Sequence, residues 1–105
     1  MVKFKRGVEW DKEGILKIIM VGEMVYSTFG KDLVVTSLME GNHKPNSKHY
    51  VGQAADFRTH FFKLEELPYV VEDLRELLGE DYDVILETTH IHVEYDPEIS
   101  KVVIV

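Results

Sequence analysis

The side chains able to do chemistry in this chain are unevenly spread. Its five histidines are His43, His49, His60, His90 and His92, and there is no cysteine. A thiolate metal site, a disulfide and a cysteine nucleophile are therefore excluded, and any metal must be held by imidazole or carboxylate. His90, His92 and Glu94 sit two residues apart in a run of strand-forming residues. Alternate residues of a strand point the same way, so two imidazoles and a carboxylate share one face while Ile91 and Val93 face the other. That pattern fits either a solvated outer face or a pair of ligands. A second concentration runs from Ser47 to Asp56. There His49 and Asp56 lie seven positions apart with Gly52 between them, where the chain can fold back. Asp56 stands between Ala55 and Phe57. A carboxylate in apolar surroundings needs a cation, several donors or an arginine. Arg58, on the same face two residues on, offers a salt bridge. A borderline cation such as Zn²⁺, which takes imidazole nitrogen and carboxylate oxygen together, offers the alternative.

These residues depend on a scaffold that can be read from periodicity. Ile15, Leu16, Ile18, Ile19, Met24 and Val25 recur at near-helical spacing between Asp11 and Gly30, predicting a first helix over roughly 11–27 with those residues packed inward. Leu33–Met39 reads as a short buried strand, and the polar, Gly- and Pro-punctuated stretch 40–48 as a loop. The run 54–59 alternates, with Ala55 and Phe57 on one face and Ala54, Asp56 and Arg58 on the other. A second helix begins near Pro68, turns Val70, Val71, Leu74, Leu77 and Leu78 inward and stops at Gly79. Two strands follow, 82–86 and 91–95, joined by Thr88 and Thr89 as a tight connection that sets Glu87 opposite His90. Residues 102–105 are a candidate last edge strand. The expectation is a single α+β domain over residues 1–105, an antiparallel sheet packed with two main helices.

Composition narrows the function classes. A chain of 105 residues, 45% hydrophobic and 30% charged, suits one globular core. A net charge of -7 argues against a nucleic-acid partner, because phosphate neutralisation requires clustered lysine and arginine. The one basic cluster, Lys3, Lys5 and Arg6, is explained equally well by a frayed terminus. Glu9, Asp11, Lys12 and Glu13 interrupt any signal-peptide core, and no apolar run reaches membrane-spanning length, so the expectation is a monomer made in the cytoplasm without membrane association.

The two clusters together resemble a known family. Ser47-x-His49-x-x-Gly52-x-Ala54-x-Asp56, followed by Glu87-x-x-His90-x-His92, is similar to the zinc D,D-carboxypeptidase and L-alanyl-D-glutamate peptidase family, whose fold is shared by the hedgehog signalling domain. The motifs frame residues 47–94, and their combination is far more specific than either alone. The resemblance implies zinc held by His49, Asp56 and, in the manner of His-x-His members, His92. Members with a single histidine there place the ligand three residues after the glutamate, the position of His90. It further implies Glu87 as the general base toward a zinc-bound water, His90 as donor to the developing oxyanion, and a cell-wall stem peptide as substrate, cut at a terminal D-Ala or an internal L-Ala-D-Glu bond. Small size suits a phage-type lytic enzyme that reaches the wall if delivered there. The hedgehog likeness implies an alternative, a zinc-stabilised binding module without catalysis. A metal-free domain with an Asp56–Arg58 ion pair is the third reading. This chain departs from the family upstream, where many members carry a Ser-Gly-Tyr-Arg stretch whose arginine engages the substrate carboxylate. Here Thr36-Ser37-Leu38-Met39 stands instead. Arg58, Lys44 and Lys48 are the substitute candidates, and His43, His60 and Glu94 receive no role.

Overall fold

The computed structural model describes residues 2–4, 13–39 and 53–96. Five strands and two helices follow in the order β1 (Val2–Phe4), α1 (Glu13–Thr28), β2 (Leu33–Met39), β3 (Gln53–Arg58), α2 (Leu67–Leu78), β4 (Tyr82–Leu86) and β5 (His90–Tyr95), with a 3₁₀ turn at Leu64–Glu66 leading into α2. The sheet order is β1-β2-β3-β5-β4. β2, β3, β5 and β4 are antiparallel to their neighbours, but β1 runs parallel to β2 with Val2 beside Leu33. The sheet is therefore mixed, which corrects the all-antiparallel expectation. The physical reason is β1 itself: three residues show too little alternation to be read as a strand, and a parallel neighbour requires a crossover, here α1. The candidate strand at 102–105 and the candidate loop at 40–48 lie outside the described residues.

Local chemistry sets where the elements stop. Gly30, at φ 73°, ends α1 in the left-handed region that glycine adopts without a Cβ clash. Its N–H bonds the Ser27 carbonyl, and the Lys31 N–H reaches back to Tyr26, both at 3.0 Å. At the other helix, the Glu66 carboxylate accepts from the Lys63 N–H at 2.8 Å, Pro68 stands in the first turn, and Gly79 closes the end at φ 90°.

Both helices pack on one face of the sheet. Leu33, Val35, Ala55, Phe57, Ile91, Val93 and Val84 from the strands meet Ile15, Ile18, Ile19, Val25 and Tyr26 of α1 and Val70, Val71, Leu74 and Leu78 of α2 in one buried cluster. α1 comes close to β3 at Gly22, where an added Cβ would stand 2.7 Å from the Phe57 ring. Three helical residues expected inside are out: Leu16 is 42% exposed, Met24 55% and Leu77 46%. An apolar stripe read from a 3.6-residue period is wider than the sheet covers, and its flanks face water. Among the described residues no helix is long and apolar enough to cross a membrane.

Candidate metal centre on the open face of the sheet

Strand alternation sends every second residue of β3 and β5 away from the helices. Register then decides which of them meet. Asp56 pairs with His92, Arg58 with His90 and Ala54 with Glu94 across the β3–β5 ladder, and Ile85 of β4 flanks His92 on its other side. On the β2 side the ladder slips between Val35 and Ser37, so Thr36 is an extra residue opposite the Phe57–Asp56 step. Its hydroxyl donates to the Asp56 carbonyl at 3.4 Å. Such bulges bend a strand and re-aim its side chains, and they recur beside active sites.

The result is a compact arrangement of four ionisable groups. His92 Nδ1 lies 2.8 Å from Asp56 Oδ1, and its Nε2 lies 3.1 Å from Glu94 Oε1. His90 Nε2 is 3.7 Å from the other Asp56 oxygen, Oδ2. His90 is held on its far side by the Thr89 hydroxyl, 3.0 Å from Nδ1. Asp56 and His92 are mostly shielded, with side chains 21% and 18% exposed. The Asp56 hydrogen bond, followed by that of Glu94, raises the His92 pKa to about 9 against the opposing pull of burial. In the metal-free protein His92 is thus an imidazolium clamped between two carboxylates.

Of the residues singled out from sequence, Asp56, His92 and His90 are brought together. The alternative partner for Asp56 is corrected: its oxygens face the two histidines, and among the described residues no Asp56–Arg58 ion pair forms. His92 lies directly opposite Asp56 in the ladder and takes its Oδ1 at 2.8 Å, while His90 stands against Oδ2, so both carboxylate oxygens face imidazoles. Thr88 and Thr89 do form the tight connection, and the Glu87 N–H bonds the His90 carbonyl at 2.8 Å. That pairing puts Glu87 on the same face as His90 and His92, at the exposed rim. His49 lies outside the described residues, as do His43, Lys44 and Lys48. Glu94, which the sequence left without a role, joins the group through its contact with His92 Nε2. The signal was available, since the spacing that aligned His90 and His92 also aligned Glu94.

The donor chemistry suits zinc, a carboxylate and an imidazole standing side by side. The fit reaches two of the three expected ligands. Among the described residues no group of three or more His, Cys, Asp or Glu side chains is arranged to hold a metal ion. Glu94 fits the outer position that a zinc-bound histidine uses, where a carboxylate accepts the N–H of the nitrogen turned away from the metal. No known protein family, curated protein or solved structure matches this chain.

Proposed function

We propose that this chain is a zinc-dependent peptidase that hydrolyses a peptidoglycan stem-peptide bond, a hedgehog-like fold carrying a His49, Asp56 and His92 ligand set. The observation that supports it most is the direct facing of Asp56 and His92 across the ladder, with His90 and Glu87 following on the same face. Asp56 of the first motif and His90 and His92 of the second meet there. Zinc, when bound, supplies a Lewis acid that polarises the scissile carbonyl and acidifies water. Glu87, at the exposed rim, takes the proton of the attacking water and returns it to the leaving amine. His90, steadied through Nδ1 by Thr89, turns Nε2 inward as a donor to the developing oxyanion. Glu94 accepts from His92 Nε2 and fixes which nitrogen is turned to the metal.

A second reading, a zinc-stabilised binding module, is favoured by one feature: Glu87 is exposed at the rim, and among the described residues no contact joins its carboxylate to Asp56 or His92. The two separate on Glu87. Zinc content of untagged protein is expected near one ion per chain, lost in Asp56→Ala and His92→Ala and kept in His90→Ala and Glu87→Ala. Amine release from purified peptidoglycan is expected to fall by about 10²-fold or more in Glu87→Ala, the usual scale of general acid–base catalysis. Stoichiometric zinc without amine release from several wall chemotypes establishes the binding module instead. A zinc content near zero that added Zn²⁺ does not restore ends both.

A further inference from the structure

The outer surface of the two helices lies on the opposite side of the sheet from the Asp56–His92 pair, and it carries a line of apolar side chains that nothing covers. Leu16, Met20 and Met24 of α1 are 42%, 57% and 55% exposed, and Leu77 of α2 is 46% exposed. Residues four apart fall on one side of a helix, so the three α1 side chains make a slanting line about 12 Å long. α1 and α2 run antiparallel beside one another. Lys17 reaches the Leu78 carbonyl at 3.1 Å, and farther along α1 Met24, Val25 and Thr28 line a groove of about 160 Å³ with Asp73, Glu76 and Leu77. Exposed apolar side chains concentrated along one groove mark a contact surface, unlike the scattered single ones that every protein shows. Methionine, unbranched and polarisable, adapts to whatever apolar surface meets it.

The charge around this groove has one sign. α2 exposes Glu72, Asp73 and Glu76, and α1 adds the half-buried Glu23. The basic residues of the two helices, Lys17 and Arg75, are both turned to the fold. Lys17 bonds the Leu78 carbonyl and lies over the Tyr82 ring at 5.2 Å, and Arg75 grips the Val84 carbonyl through Nε and Nη2 at 3.2 and 2.8 Å. Asp73 and Glu76, which line the groove, have no basic partner among the described residues. A second copy of the chain would bring the same acidic rim against this one, and an anionic lipid surface is repelled by it. A helix with apolar residues at i, i+3, i+4 and i+7 and lysine or arginine beside them satisfies both the stripe and the rim.

We infer that the α1–α2 groove docks a basic amphipathic helix of a partner protein. Its apolar stripe lies along Leu16, Met20, Met24 and Leu77, and its lysines or arginines face Asp73 and Glu76. Docking there leaves Asp56, His90 and His92 open on the other face of the sheet, so the partner and the metal centre do not compete for space. The inference does not rest on the peptidase reading.

The test uses the full chain and three synthetic peptides of about 14 residues, which as helices exceed the length of the stripe. The first is built of leucine and lysine with leucine at i, i+3, i+4 and i+7. The second has the same composition in an order that scatters leucine around the helix, and the third replaces every lysine of the first by glutamate. By fluorescence anisotropy the first is expected to bind about 10-fold or more tightly than either control. Its affinity should fall as salt rises and screens the rim. In methyl NMR spectra the bound peptide is expected to shift Met20 and Met24 and to leave Ala54, on the far face of the sheet, unmoved. Asp73→Lys with Glu76→Lys is expected to weaken the first peptide about 10-fold and to strengthen the glutamate peptide. Met20→Gln with Met24→Gln should weaken the first peptide by a similar factor. All four side chains are exposed, so the denaturant midpoint is expected to stay unchanged, and either pair of substitutions serves if the other alters the fold. Equal binding of the ordered and scattered peptides, no binding up to about 1 mM, or an affinity that survives both pairs of substitutions overturns the inference. Concentration-dependent dimerisation in sedimentation that Met20→Gln abolishes also overturns it and assigns the stripe to a second copy. Binding to phosphatidylcholine or phosphatidylglycerol vesicles that Met20→Gln abolishes overturns it in favour of a membrane surface.

Discussion

The two faces of one sheet obey different rules in this molecule. On the helix-covered face, Phe57, Val35, Ile91 and Val93 are fully buried, and the residues are interchangeable in kind: apolar, close-packed and held by no specific partner. On the open face, one residue away along the same strands, Asp56, Arg58, His90, His92 and Glu94 are ionisable and each has a position fixed by register. The first face supplies stability and the second uses it. A shift of one residue in the β3–β5 register would exchange the faces altogether, so the apolar face is also what holds Asp56 opposite His92. The bridge between them is Tyr26, buried against Phe57 and Phe62 with edge-on ring contacts at 5.7 and 4.9 Å and bonded through its hydroxyl to the Arg58 carbonyl. Burial pushes that phenol well above its ordinary pKa, so it remains a donor.

The comparison can be broken most forcefully from the covered side. Phe57→Ala removes a fully buried ring and is expected to cost about 3–5 kcal/mol in denaturant unfolding, with zinc binding lost through the register. Retention of full zinc affinity in a folded Phe57→Ala protein would separate the faces. On the open side, Glu94→Gln is expected to leave the unfolding midpoint nearly unchanged while lowering zinc affinity by about 10- to 100-fold, measured by chelator competition. Tyr26→Phe acts on the bridge: it leaves the Arg58 carbonyl without its donor and is expected to cost about 1–3 kcal/mol. The smallest effect concerns pH. His92 is raised from the ordinary imidazole range to about 9 by Asp56 and then Glu94, so the folded state binds its proton more tightly than the unfolded state. The zinc-free protein should carry this stabilisation fully below about pH 6.5 and lose it as pH rises toward 9, on the order of 1 kcal/mol once solvent screening is allowed for. Denaturant midpoints across pH 6–10 check it, and His92→Gln should flatten the profile.

Much of the scaffold is legible in the sequence for identifiable reasons. β2 and β4 have the bounds their strand-forming runs suggest, Leu33–Met39 and Tyr82–Leu86, and Gly30 and Gly79 mark the helix ends because their positive φ suits only glycine well. The strand at β1 was not legible, since Lys3 reads as part of a basic terminus until Asp32 and Val34 are known to lie beside it. At the site, alternation alone put His90, His92 and Glu94 on one face and Asp56 on another strand's face. It could not say that Glu94 would take the second nitrogen of His92, because that depends on a rotamer.

By itself the sequence determined which chemistry is available, imidazole and carboxylate without thiolate, and which side of each strand would carry it, because the period of a strand is a local property. Only the tertiary structure decided who meets whom. Pairing β3 with β5, 36 residues apart between Asp56 and His92, is a matter of long-range register. That register is chosen by the burial of Phe57, Ile91 and Val93 on the opposite face. On the other side of β3, the β1–β2–β3 pairings set Arg58 in the lining of one cleft with Lys3 and Lys31, a neighbourhood with no trace in the local sequence.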